Sequence, residues 1–126
     1  MRLNGLWYWL PAISVMALIF WMSSWPVAEF FQPLDWRLLG FKFLHMTEYG
    51  ILALTYLFAL QKTSPLAPRA CFTTAILLTI LYGITDEIHQ VFTPLRSPQL
   101  IDIFSDGLGA AMFCGMASIV GWKTRT

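Results

Sequence analysis

Apolar residues gather in four long stretches of this 126-residue chain, at about residues 6–25, 43–60, 70–88 and 103–122. Each stretch is close to the roughly 20 residues that an α-helix needs to cross the apolar part of a bilayer. The acidic residues lie between these stretches or near their ends, and they are Glu29, Asp35, Glu48, Asp86, Glu87, Asp102 and Asp106. The pattern predicts an all-α membrane protein with four transmembrane helices in an antiparallel bundle.

The composition supports a protein made for a bilayer. Hydrophobic residues make up 57% of the chain and charged residues 12%, whereas soluble domains average about 45–50% and about 25%. The four stretches and short connections use nearly all of residues 1–126, so we predict a single membrane domain. The first stretch is longer than the apolar core of about 7–15 residues that a signal peptide carries. It is therefore predicted to be a retained helix.

The distribution of lysine and arginine predicts the orientation, because short cytoplasmic loops retain these residues. With both termini cytoplasmic, the inner side carries five of them, Arg2, Lys62, Arg69, Lys123 and Arg125. The outer side carries Arg37, Lys42 and Arg96 together with every acidic residue. The segment at about 26–41 mixes aromatic and charged residues, and we predict that it lies in the outer interface.

Small residues recur every four positions in the fourth stretch, at Gly107, Ala111 and Gly115. Such a face lets another helix approach closely. Packing within the chain and a homodimer are the two alternatives for it. The two cysteines, Cys71 and Cys114, are predicted to be apolar packing residues.

Polar residues form three groups at the predicted outer ends of the second, third and fourth stretches. We predict that they converge on one ligand-binding cluster, composed of Lys42, His45, Glu48, Tyr49, Asp86, Glu87, His89, Gln90, Arg96, Asp102 and Asp106. At about 100° per helical residue, several of these side chains share one face of their helix. Charges near a bilayer core are costly and usually functional, although a network that only holds helices in register is the alternative.

The chemistry of this cluster leaves several ligands open. Neither a basic run for nucleic acid nor a typical metal-binding spacing such as H-E-x-x-H occurs. His45, His89, Asp86 and Glu87 would be the metal ligands to test, but the nearby Lys42 and Arg96 disfavour a cation. We therefore assign no metal or cofactor. Lys42 and Arg96 could instead hold a phosphate or carboxylate while a histidine transfers a proton.

Two motifs resemble the VanZ-like membrane proteins. The run from Asp86-Glu87-Ile88-His89-Gln90 to Arg96 is similar to the D-E-x-H-Q-x-F and P-G-R signature of that family, with Leu95 in place of the glycine. Asp102, Asp106 and the following glycines continue it, and Asp106 stands where asparagine is frequent. Lys42-x-x-His45-x-x-x-Tyr49 resembles the family's entry to its second helix. The resemblance covers about residues 42–116.

The resemblance implies a place in the cell envelope, since the family is named for a protein associated with low-level teicoplanin resistance. We therefore expect a multi-pass protein of the cytoplasmic (inner) membrane whose outward-facing pocket binds an amphiphilic or lipid-linked molecule. The alternative is a membrane-embedded enzyme that acts on a lipid-linked phosphate or ester, with or without a metal. Membrane lipids or a lipid-linked envelope molecule are the expected partners.

Overall fold

The computed structural model describes residues 3–24, 35–93 and 100–122, with side chains over 4–24, 42–93 and 100–122. A 3₁₀-helix, Leu3–Trp9, precedes α1 (Leu10–Ser23), α2 (Asp35–Thr63), α3 (Pro68–Val91) and α4 (Leu100–Ile119). Four segments are long and apolar enough to cross a membrane: Asn4–Ser23, Lys42–Thr63, Pro68–Val91 and Leu100–Ile119. These residues contain no strand. The prediction of an all-helical protein with four helices of membrane-spanning character is confirmed.

Prolines mark the beginning of two helices. Pro11 lies in the first turn of α1, directly after the 3₁₀ segment, and Pro68 lies in the first turn of α3. Proline suits this position because the first helical N–H groups have no partner within the helix and its φ is already helical. The turn between α2 and α3, residues 64–67, agrees with the break predicted near Pro65.

The second helix is longer than its apolar stretch. It begins at Asp35 and runs for 29 residues, which corresponds to about 44 Å at about 1.5 Å per residue. An apolar bilayer core is only about 30 Å thick, so one end of α2 extends beyond the hydrocarbon. Residues 25–34 lie outside the described residues, and the interfacial position of segment 26–41 stays a prediction.

The centre of the bundle is α2, which packs against α1, α3 and α4. Leu52, Ala53 and Leu57 of α2 are fully buried, next to Ala75 of α3 and Ala110 of α4. Large apolar side chains elsewhere on the helices are exposed, among them Leu77, Leu81, Phe104, Met112 and Ile119. No described part of the chain covers them, as expected of surfaces that face lipid.

Glycines allow the closest helix contacts around α2. A side chain at Gly109 of α4 would collide with the main-chain carbonyl of Met46, and one at Gly50 would collide with the ring of Phe113. The contacts of α2 with α4 thus depend on positions that lack a side chain.

Most of the predicted small-residue face of α4 does not lie in a helix contact within the described part of the chain. Gly107 approaches the side chain of Ile80, whereas Ala111 and Gly115 are exposed and nothing lies within 4 Å of a Cβ built at Gly115. A homodimer through Gly107, Ala111 and Gly115 stays a prediction. Both cysteines, Cys71 and Cys114, are buried and free, as expected of packing residues.

Candidate functional site

Three helix segments bring most of the predicted cluster together at one end of the bundle. The first half of α2 supplies Lys42, His45 and Tyr49. The last turns of α3 supply Asp86 and Gln90, and the first turns of α4 supply Asp102 and Asp106. The contacts that join them, described below, link residues far apart in sequence, such as Lys42 with Asp102 and His45 with Asp106.

The centre of the site is a contact between His45 and Asp106. His45 Nδ1 lies 2.6 Å from Asp106 Oδ1. The side chain of Asp106 is completely buried, and that of His45 is 22% exposed. The His45 ring also packs against the Tyr49 ring one turn later, with 4.9 Å between the ring centroids. A carboxylate on one nitrogen fixes the orientation of an imidazole and leaves its other nitrogen for a second contact.

That second nitrogen points toward Asp86. His45 Nε2 lies 3.9 Å from Asp86 Oδ2, which also accepts hydrogen bonds from the Tyr49 hydroxyl at 3.0 Å and from Gln90 Nε2 at 3.4 Å. His45 therefore stands between two aspartates that come from two other helices. Oδ1 of Asp86 and Oδ2 of Asp106 are buried and accept no hydrogen bond from any described residue.

An ion pair between Lys42 and Asp102 lies at the more open part of the site and joins α2 to α4. The two side chains are 34% and 21% exposed, respectively. The side chains of Asp86 and Asp106 are 1% and 0% exposed. Lys42, His45 and Asp102 are thus partly exposed, whereas the two aspartates are buried.

The second histidine has a different neighbour. The His89 ring stacks on Phe20 of α1, with 4.2 Å between the ring centroids. Glu87 is buried and Glu48 is half-buried near the same end of the bundle. Arg96 lies outside the described residues, so its contribution to the cluster stays a prediction.

The described side chains of the site do not form a metal-binding group. Among residues with described side chains, no three from histidine, cysteine, aspartate and glutamate are arranged to hold one metal ion. This includes His45, His89, Asp86 and Glu87, the set that the sequence offered for testing. The geometry instead suits hydrogen bonding and proton transfer through His45.

The sequence analysis did not predict two features of the site. Phe20 in the first helix covers His89, and no spacing in the sequence links these residues. Gly83 leaves room for Asp106, because a Cβ at position 83 would lie 2.5 Å from Asp106 Oδ2. Its position three residues before Asp86 places it on the same face of α3, and this spacing was a usable signal.

The family comparison covers the whole site. The model of the VanZ/LLP1 family matches residues 8–121. The chain belongs to the VanZ/LLP1 family. The match includes all four α-helices and every residue of the cluster from Lys42 to Asp106, so membership of VanZ/LLP1 confirms the resemblance seen in the motifs. Comparisons with curated proteins and with solved structures gave no match.

Proposed function

We propose that this VanZ/LLP1 protein binds the polar part of an amphiphilic or lipid-linked molecule of the cell envelope. The observation that carries the proposal is the completely buried carboxylate of Asp106, held against His45 and close to Asp86. A charged group within a membrane helix is costly, by about 2.5–3.5 kcal/mol on insertion scales at the helix centre and by less near its ends, and such groups usually serve a function. Four helices alone would be joined more favourably by apolar contacts.

The proposed orientation has an antiparallel helix order and cytoplasmic termini. Trp9 Nε1, before α1, donates to Thr63 Oγ1 at the end of α2, whereas Phe20 near the end of α1 stacks on His89 near the end of α3. By sequence order, all seven acidic residues then fall at the end that holds the site. Five lysines and arginines fall at the opposite end. Because these residues tend to remain cytoplasmic, we propose that the site lies at the outer face of the cytoplasmic membrane.

This location suits a lipid-bearing ligand. An amphiphile in the outer leaflet keeps its tail among the exposed apolar side chains and presents its polar part at the depth of the site. The family's link to teicoplanin, which carries a lipid tail, supplies a cellular readout. Deletion of the protein is expected to lower tolerance of a glycopeptide that carries a lipid tail more than tolerance of one without a tail.

The proposal is tested by gentle extraction of the protein with its own lipids, followed by native mass spectrometry. We expect a retained amphiphile that is lost from Asp106→Asn and from His45→Ala. Thr73→Ala is the control, because the Thr73 hydroxyl is exposed on α3 and bonds only the Arg69 carbonyl of its own helix. If the folded wild-type protein retains no amphiphile, or all three variants retain it equally, the proposal fails.

A second candidate function is favoured by the His45–Asp106 contact. A carboxylate that orients an imidazole is a common arrangement for general acid–base catalysis. An enzyme of this type would act on a lipid-linked phosphate or ester. Hydrolysis of such a substrate by the purified protein, abolished by His45→Ala and unaffected by Thr73→Ala, would put this function first.

A further inference from the structure

The buried carboxylates of Asp86 and Asp106 bear directly on the chemistry of the ligand. We propose, as an extension that rests on the proposed function, that the site binds the primary ammonium group of an amphiphile. The N–H groups of this ammonium donate hydrogen bonds to the two carboxylates. This is the opposite charge to the phosphate or carboxylate that Lys42 and Arg96 suggest from sequence alone.

Each buried aspartate has an oxygen that accepts no hydrogen bond from the described residues. These atoms are Oδ1 of Asp86 and Oδ2 of Asp106, and both belong to side chains that are at least 99% buried. Leaving a buried acceptor without a donor costs more than the hydrogen bond itself would contribute. The complementary ligand group therefore carries N–H or O–H donors, which an ionised carboxylate or a fully ionised phosphate lacks.

The charge balance favours a cation. Lys42 is already paired with Asp102, so it does not neutralise Asp86 or Asp106. Among the side chains that the structure describes at this end of the bundle are five acids, Glu48, Asp86, Glu87, Asp102 and Asp106, and one base, Lys42. An excess of four negative charges remains there with the histidines neutral. Even with Arg96 in the site, an added anion would meet net repulsion at short range.

The depth of the site favours a small head group on an apolar tail. Lys42, Asp102 and His45 are partly exposed, whereas Asp86 and Asp106 are buried, so a group that reaches the two aspartates has to be small. A primary ammonium is compact and presents three N–H donors. A quaternary ammonium carries the same charge and no N–H donor, and is therefore the matched comparison.

An alkyl-linked primary ammonium has two sources in an envelope: the ethanolamine head group of a phospholipid, or an amine-bearing amphiphile without phosphate. Purified full-length protein in a non-ionic detergent is titrated with four probes, and binding is measured by native mass spectrometry. The probes are dodecylammonium, dodecyltrimethylammonium, dodecyl phosphate and phosphatidylethanolamine. We expect dodecylammonium to bind about tenfold more tightly than its trimethylated analogue, because charge-assisted hydrogen bonds contribute about 1.5–3 kcal/mol.

Phosphatidylethanolamine separates the two sources. Binding as tight as that of dodecylammonium assigns the phospholipid head group. Clearly weaker binding assigns an amine without phosphate. Both results support an ammonium site, provided that dodecylammonium exceeds dodecyltrimethylammonium.

Three variants test the residues that we invoke. Asp86→Asn and Asp106→Asn are each expected to weaken dodecylammonium binding about tenfold, since each replaces a charged acceptor by a neutral amide. Thr73→Ala is the control, because the exposed Thr73 hydroxyl bonds the Arg69 carbonyl of its own helix and lies in the other half of α3. It should change binding less than twofold.

Lys42→Gln is expected to change the affinity for an ammonium ligand and for an anionic ligand in opposite directions. It leaves Asp102 unpaired and makes the site more negative, so dodecylammonium should bind severalfold more tightly. A site for anions would bind its ligand more weakly after the same change. This variant keeps the proposal testable if an aspartate variant does not fold.

The outcomes separate this inference from the proposed function. Preferential binding of dodecyl phosphate, weakened by Lys42→Gln, overturns the ammonium site and leaves an amphiphile-binding protein. Equal binding of the primary and quaternary ammonium probes also overturns it. The same holds if Asp86→Asn and Asp106→Asn bind like the wild type. If the folded protein binds none of the probes and retains no lipid, the proposed function itself fails.

Discussion

The hydroxyl of Tyr49 donates a hydrogen bond of 3.0 Å to the buried Asp86 carboxylate, and Tyr49 itself is completely buried. Tyr49→Phe removes this donor without creating a large cavity. We expect the free energy of unfolding to fall by about 1–3 kcal/mol, because a buried acceptor loses a partner that water cannot replace. Unfolding in mixed detergent micelles, followed by circular dichroism, measures the change.

Tyr56→Phe is the matched control for Tyr49→Phe. The Tyr56 hydroxyl contacts Met16 Sδ at 3.1 Å, and a thioether sulfur is a weak acceptor. Its removal should change stability by less than about 0.5 kcal/mol, well below a typical net hydrogen bond. If both variants lose the same free energy of unfolding, the hydrogen bond from Tyr49 to Asp86 contributes no more to stability than the contact of Tyr56 with Met16.

The Lys42–Asp102 ion pair predicts partial rescue by charge exchange. Lys42→Asp and Asp102→Lys each place two like charges side by side, which should lower stability and ligand binding. The double variant restores opposite charges across the same two helices. We expect it to recover about 0.5–1 kcal/mol of stability, since the pair is partly exposed and such pairs contribute little.

The binding readout of these variants distinguishes a ligand site from a merely structural network. A network that only holds the helices in register would regain full cellular function in the double variant. In a site with a fixed arrangement of charges, stability returns while ligand binding stays impaired. Full recovery of both properties would contradict a role for Lys42 and Asp102 in binding.

The packing of α4 on α2 depends on Gly109, whose added Cβ would meet the main-chain carbonyl of Met46. Gly109→Ala should therefore separate the two helices and lower the free energy of unfolding by about 1–3 kcal/mol, as overpacking commonly does. Gly115→Ala lies on the same helix with nothing within 4 Å of the added Cβ. It should be neutral or stabilise the helix by up to about 1 kcal/mol.

Micelle unfolding of both glycine variants makes the comparison. A loss at Gly115 as large as that at Gly109 would show that the Gly107, Ala111 and Gly115 face is covered, and would favour the homodimer. Analytical ultracentrifugation of Gly115→Leu then tests that alternative directly, because a bulky side chain would block a close helix–helix contact.

The four helices could be predicted from the sequence, whereas the way they pack against one another could be predicted only in part. Apolar length gave the four spans, and helical periodicity gave the shared faces of Lys42, His45 and Tyr49. The beginning of α2 at Asp35 was missed because its first turns are too polar to register as a membrane span. The pairing of His45 with Asp106 rather than with His89 depends on how each helix is rotated about its axis. Periodicity within one helix does not contain that information.

The proposed antiparallel order implies a strongly asymmetric charge for the whole molecule, because every acidic residue is then expected at the end that holds the site. This asymmetry predicts cytoplasmic termini, and cysteine labelling in intact cells tests it. Cys71 and Cys114 are first replaced by alanine. Leu100→Cys, at the exposed beginning of α4, and Leu66→Cys, in the exposed turn between α2 and α3, are then introduced singly.

A thiol reagent that cannot cross the membrane should label Leu100→Cys and leave Leu66→Cys unlabelled until the cells are opened. Labelling after opening shows that both cysteines are reactive and serves as the control. The reverse pattern would turn the buried aspartates toward the cytoplasm. A ligand would then have to come from the inner leaflet, and a pocket for outer-leaflet envelope molecules would be ruled out. The labelling pattern therefore decides which leaflet should be searched for the amphiphile.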